Sequence, residues 1–306
     1  MTAADLPPKA AEPMTRPRFA MPRGATDCHF HVFGPAERYP YSPNRSYTPP
    51  DAALQTYLAL CDTLGIARMV FVQPSAYGTD NSRMLDAMDE VQGRCRGIAV
   101  IDDATPDAEL ERMHEKGVRG IRINLASIQG SGSGIATATA ELARRIAGFG
   151  WHVQVFAPPD RLADVLAFAQ HLPTDLVIDH MGNVPASAGL AHPGFRELLR
   201  ALEGDRCWVK ISGLHRVSQA EPTYADVRPM LSAMVDAAPH RLVWGTDWPH
   251  TGPHPHGADK SAPPLEFLPI DDGAQIDLYA DMIGDESIFS DILAANPARL
   301  YGFPPA

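Results

Sequence analysis

Two rhythms alternate along the chain after residue 22. Short runs rich in apolar and β-branched residues fall at Thr26–Phe33, Ala67–Ser75, Gly97–Asp102, Gly120–Asn124, His152–Pro158, Asp175–Met181, Cys207–Gly213 and Arg241–Pro249. Between them, apolar positions recur at helical spacing over Ala52–Leu64, Arg83–Gln92, Ala108–Lys116, Ala138–Phe149, Arg161–His171 and Phe195–Leu202. Apolar strands joined by amphipathic helices mark βαβ units around a parallel sheet covered on both faces. Eight strands in roughly 220 residues are the complement of a TIM barrel. The pattern predicts an α/β fold, a distorted TIM (β/α)8 barrel. A doubly wound sheet would place a Gly-rich turn after its first strand, where this chain places histidines. Gly130-Ser-Gly-Ser-Gly134 follows the fourth strand, lacks dinucleotide and P-loop spacing, and reads as a flexible βα loop.

Residues 1–22 contain Pro7, Pro8, Pro13, Pro17 and Pro22 and show no periodicity. They read as an extended tail before a single barrel domain over 23–306. Lys9 and the prolines, with no apolar run beside them, do not form a signal peptide, and no stretch approaches a membrane span of about 20 apolar residues. The net charge of −11 among 306 residues leaves no basic stripe for nucleic acid. It leaves room for a small acidic molecule, because one or two local arginines decide such a site. The four cysteines are scattered, with no C-x-x-C, so the chain suits a reducing cytoplasm. Its oligomeric state is expected to be a monomer or a small homo-oligomer.

The first strand carries the first chemical signal. Alternation along a strand puts Asp27, His29 and His31 on one side, inward in a barrel, and Cys28, Phe30 and Val32 on the other. A lone buried histidine is ordinarily a hydrogen-bonded core residue. An H-x-H at a strand's end, before a Gly-Pro turn, favours a ligand or catalytic role. His180 closes the sixth strand in IDHMG, and Asp247 the eighth in WGTDWPH. A barrel's active site lies at the strands' C-terminal ends, where the first, sixth and eighth strands can converge. Alone, Asp247 would read as a helix cap or a partner for Arg241.

These motifs resemble the amidohydrolase superfamily, in the branch related to 2-pyrone-4,6-dicarboxylate lactonase and 4-sulfomuconolactone hydrolase. The resemblance runs from about Gly24 to Gly302 and includes CHFHVFGP, QPSAYGTDN, GIRIN, IDHMG and NPARLYGF. It implies that Asp247 is the general base and proton carrier. It also implies that His29, His31 and His180 either hold a metal with Asp247 or polarise a lactone carbonyl. One divalent metal, zinc by this ligand set, is the expected cofactor, with a metal-free route open.

The same resemblance assigns substrate contacts to Arg122, Arg216, Tyr47, Ser75 and Thr79, with His250 touching substrate. Arg122, inside an apolar strand, would otherwise need an internal salt bridge. Two departures stand out. Residues 125–130 hold no basic residue where the pyrone lactonase has a further arginine, and Phe156 replaces a tyrosine. The expected activity is therefore hydrolysis of an acidic lactone other than the pyrone dicarboxylate, such as a muconolactone or sugar-acid lactone. A metal-dependent non-oxidative decarboxylase and a lactone isomerase are the alternatives within the superfamily, and a non-catalytic binder of acidic ligands the one outside it. Lys210 divides evenly between an internal ion pair and a site role, and the histidines of His250-Thr-Gly-Pro-His-Pro-His256 beyond His250 read as solvated loop.

Overall fold

The computed structural model describes residues 14–126, 132–252 and 265–304. Its centre is an eight-stranded sheet in the order β1-β2-β3-β4-β5-β6-β7-β8. The strands are β1 (Thr26–Phe30), β2 (Arg68–Val72), β3 (Cys95–Ala99), β4 (Val118–Asn124), β5 (His152–Phe156), β6 (Leu176–Ile178), β7 (Cys207–Ile211) and β8 (Leu242–Trp244). Every neighbouring pair is parallel. The ring closes where Phe30 bridges Trp248, with Asp247 N donating to His29 O and His31 N to Trp248 O, both at 2.8 Å. This is the predicted TIM barrel.

Helices α1 (Leu54–Leu64), α2 (Ser82–Glu90), α3 (Asp107–Glu115), α4 (Gly132–Ala147), α5 (Leu162–Ala169) and α6 (Pro193–Glu203) each follow one strand. After β7 come α7 (Leu214–Val217) and α8 (Arg228–Ala237), and after β8 come α9 (Asp272–Ile283), α10 (Glu286–Leu293) and α11 (Ala295–Tyr301). Among the described residues, no helix is long and apolar enough to cross a membrane. Residues 15–19 run against α9 and α10: Thr15 bonds Asp271, Arg18 pairs with Asp277, and Phe19 lies 4.9 Å from Phe289.

Two apolar layers explain the strand composition. Outward residues such as Phe71, Ile121, Val153, Ile178, Val209 and Trp244 pack under the helices. Inward residues Cys28, Val70, Val72, Ile98, Val177, Trp208 and Val243 fill the barrel's base against Tyr301 and Phe303. Fully burying one aliphatic or aromatic side chain contributes about 1.5–3 kcal/mol. The C-terminal plug is also held by Arg96, which donates to Tyr301 O and stacks 4.4 Å from the Phe303 ring.

Three expectations need correction. Alternation fails in β1, where the register shifts between Asp27 and Phe30. Cys28 faces the interior, while Asp27 turns to Tyr57 of α1 and to Thr246. β6 and β8 are three residues each, because the chain leaves the ladder before Asp179 and Gly245. In the Gly-rich segment, α4 already begins at Gly132; residues 127–131, like His254 and His256, lie outside those described.

Candidate active site

His29 near the end of β1, His31 just beyond it, His180 after β6 and Asp247 after β8 meet at the barrel's C-terminal mouth, all buried. His29 Nε2 lies 3.8 Å and His180 Nε2 3.7 Å from Asp247 Oδ1. The His29 ring centroid is 4.6 Å from that of His180 and 5.1 Å from that of His31. His180, Asp247 and His250 have φ of 47°, 66° and 64°. These left-handed conformations cost non-glycine residues of order 1–3 kcal/mol and persist only where the surroundings impose them. Here they turn the side chains out of the strand direction and into the mouth.

Hydrogen bonding fixes how the histidines can act. His31 Nδ1 lies 2.7 Å from Val72 O. A carbonyl only accepts, so the ring donates from Nδ1 and presents a lone pair at Nε2. Burial pushes His31 down to about 3, so it is neutral at physiological pH. Of the two roles open to it, polarising a carbonyl by donation is closed and holding a metal or a water proton remains. His180 Nδ1 is tied to Ser212 Oγ at 2.9 Å. Burial holds His29 and His180 well below the usual histidine range. Asp179 is buried too, which opposes ionisation, but the charges of Lys210 and Arg122 outweigh burial and lower its carboxyl.

Two overlapping groups have donor atoms within 4.8 Å of one another: His29, His31 and Asp247, and His29, Asp179 and His180. The Lys210 ammonium, fully buried and bonded to Cys28 O at 2.8 Å and Gln154 Oε1 at 2.7 Å, stands against the second group. It is 3.4 Å from His29 Nδ1 and 3.7 Å from Asp179 Oδ1, where a second cation would be repelled. At the first group, His29 Nε2 and Asp247 Oδ1 are buried and have no hydrogen-bond partner among the described residues. These two orphaned atoms and the His31 lone pair fit one divalent cation, with the neutral His180 ring beside Asp247 Oδ1.

Around this centre sit the cationic groups. Arg216 Nε donates to Asp247 Oδ2 at 2.5 Å, leaving Oδ1 to face the histidines. Arg122 lies 3.5 Å from Asp179 Oδ2 and 5.7 Å from the Phe156 ring, which in turn stands edge-on to His180. Tyr47 hydrogen-bonds Ser75 close to Arg122, Arg216 and Asp247, and burial pushes its phenol up to about 12. His250 Nε2 meets Asp272 Oδ2 at 3.1 Å; burial opposes the imidazolium, but the Asp272 charge and hydrogen bond raise His250 overall. Thr79 is not brought to this cluster: it is exposed and lines a separate groove with Asp102, Glu109 and Arg112.

The sequence model of the amidohydrolase family matches residues 26–303. The chain belongs to that family. This amidohydrolase is 36% identical to the 2-pyrone-4,6-dicarboxylate hydrolase of Comamonas testosteroni, over 94% of this chain and 93% of that enzyme. It is 37% identical to the 4-sulfomuconolactone hydrolase of Rhizobium radiobacter, over 93% and 92%. A crystal structure from Acinetobacter baumannii, described as a probable 2-pyrone-4,6-dicarboxylic acid hydrolase with citric acid bound, superposes with a TM-score of 0.76 at 28% identity, covering 92% of this chain and 100% of that one.

The amidohydrolase also gathers residues that sequence reasoning passed over. Asp179 shares the inward phase of Val177, a signal available in the alternation of β6. His215, whose Nε2 is 3.5 Å from Asp247 Oδ2, adjoins Arg216, yet nothing in GLHR says that burial lowers its pKa to about 2. Asp272 is 22 residues from His250, and only the return of α9 to the mouth joins them.

Proposed function

We propose that this amidohydrolase hydrolyses a lactone bearing a carboxylate group. The observation that carries the reading is the buried, unpartnered Asp247 Oδ1, flanked by His29 and His180 while Arg216 occupies Oδ2. A carboxylate held by one oxygen offers the other as a base to one water. Asp247 Oδ1 takes a proton as the water oxygen adds to the lactone carbonyl. Collapse of the tetrahedral adduct breaks the ring C–O bond, and the same proton passes to the departing oxygen. Water and lactone become a hydroxy acid with no other reactant. Names of lactone hydrolases among the relatives support the same chemistry.

Arg122, with Tyr47, Ser75 and His250, would hold the substrate carboxylate, and Arg216 would share that anion while fixing Asp247. The absence of a basic residue in 125–130 and the apolar Phe156 beneath Arg122 support one anionic contact fewer than the pyrone dicarboxylate needs. The cofactor reading is one divalent ion, zinc by preference for imidazoles with one carboxylate, held by His29, His31, His180 and Asp247. When bound it supplies carbonyl polarisation and a more acidic water. Four buried, unpaired cysteines support a reducing compartment, the cytoplasm.

A pH-indicator screen over muconolactones, sugar-acid lactones and the pyrone, run with elemental analysis of the protein, tests the reading, because ring opening releases a proton. Asp247→Asn is expected to lower kcat about 1,000-fold, within the span of general-base catalysis. Wild-type turnover in that variant would remove the base assignment. Release of carbon dioxide without ring opening would move the activity to a decarboxylase.

A further inference from the structure

Strand alternation predicts Asp27 on the inward face with His29 and His31, yet it points away from the mouth, and all four of its hydrogen bonds among the described residues come from donors. Oδ1 accepts from His29 N at 2.9 Å and Thr246 N at 3.0 Å. Oδ2 accepts from Tyr57 Oη at 2.8 Å and Thr246 Oγ1 at 2.6 Å. Thr246 Oγ1 in turn accepts from Trp248 N at 3.0 Å. The carboxylate is fully buried at the junction where β1 meets the turn that carries Asp247.

That junction is narrow. A Cβ at Gly245 would come 2.6 Å from His29 N and 3.1 Å from Asp27 Oδ1. Asp247 N donates to His29 O on the same seam. A single side-chain oxygen therefore ties the backbone amide of His29 to the residue before Asp247, beside the isolated Phe30–Trp248 bridge and its two backbone bonds.

We propose that Asp27 is a positioning residue: it sets the distance between His29 and Asp247 by clamping Thr246 to the backbone of His29. It touches neither substrate nor reacting atoms. The clamp needs an acceptor at Oδ1, because backbone amides can only donate. At Oδ2 it needs only a polar atom, since the hydroxyls of Tyr57 and Thr246 can reverse and accept. The role is thus one of hydrogen-bond geometry, and a neutral amide of the same shape can fill it.

The proposal rests on reading His29 and Asp247 as the reacting pair, and the test separates the two. Crystal structures of Asp27→Ala and Asp27→Asn report the separation of His29 Nε2 from Asp247 Oδ1 without any substrate. The alanine variant is expected to widen it beyond 3.8 Å and the asparagine variant to restore it. Where lactone turnover is measurable, Asp27→Ala should lose about 100-fold in kcat, as a misplacement of about 1 Å does, with KM within twofold. Asp27→Asn should recover most of the loss, and Tyr57→Phe, which removes one donor from Oδ2, should stay within threefold of wild type. An alanine variant with unchanged separation and turnover overturns the clamp. So does an asparagine variant as impaired as alanine, which would make the charge the active feature. If wild type opens no lactone, the functional reading fails and the measured separations still judge the clamp.

Discussion

Arg122 carries a guanidinium into the buried middle of β4, where it pairs with Asp179. A planar fork of donors beside an apolar ring suits a carboxylate better than a point charge does. Arg122→Lys keeps the charge and loses the fork, so KM for an acidic lactone should rise about tenfold with kcat little changed; Arg122→Met should raise it by 100-fold or more. Steady-state kinetics on one substrate decides between that outcome and a loss confined to kcat. At this scale the sequence was legible where two signals coincided. H-x-H before a turn, and an arginine inside GIRIN, both announce buried polar groups that need partners, and His29, His31 and Arg122 are all buried. The lone pair of His31 was not legible, because it depends on Val72, a residue 41 positions away.

Regular elements were readable where their own periodicity governs them, and least so where tertiary contacts override it. Six of the eight strands lie within the predicted apolar runs, and β3 and β4 begin two residues earlier, at Cys95 and Val118. Strand alternation misassigned Asp27 and Cys28 because the shifted register of β1 is set by its meeting with the Asp247 turn. The ends of β6 and β8 were overextended because His180 and Asp247 adopt left-handed backbone that their residue types do not announce. None of the helices beyond Leu202 is among those predicted, although α9 and α10 have side-chain caps at Asp271 and Asp285. At Gly245 the seam between β1 and the Asp247 turn leaves no room for a side chain, since a Cβ would come 2.6 Å from His29 N. Gly245→Ala must push His29 away from the seam and should cost about 1–3 kcal/mol as overpacking does. Chemical denaturation would show the loss, and turnover should fall with it; an unperturbed variant would mean that the seam yields easily.

The whole molecule carries a net charge of −11, but its response to acid is governed from inside. His152 on β5 is buried, and burial, with the Lys210 charge, lowers its pKa from the ordinary 6.5 to about 3. The folded state therefore keeps it neutral where the unfolded chain takes up a proton. Above pH 6.5 it adds no penalty. As pH falls from 6.5 towards 3, it should remove about 1.4 kcal/mol of stability per pH unit. Asp27, raised to about 6 by burial, works in the opposite sense over the lower part of that window. His31 and His215, lowered by burial to about 3 and about 2, act in the same sense as His152 and outweigh Asp27. Melting temperature followed from pH 8 to pH 4 should therefore drop between pH 6.5 and pH 4, and His152→Leu should make the drop shallower; an unchanged profile in that variant would assign the acid sensitivity elsewhere.

The two ends of the barrel are held by different kinds of chemistry. At the base, Tyr301 and Phe303 seal the interior with apolar surface and the stacked guanidinium of Arg96, none of which the reaction uses. Evolution can therefore exchange the loops at the opposite rim, and with them the choice of substrate, while the seal beneath stays untouched. An engineer who trims or fuses the last helix would be altering foldability and leaving selectivity alone.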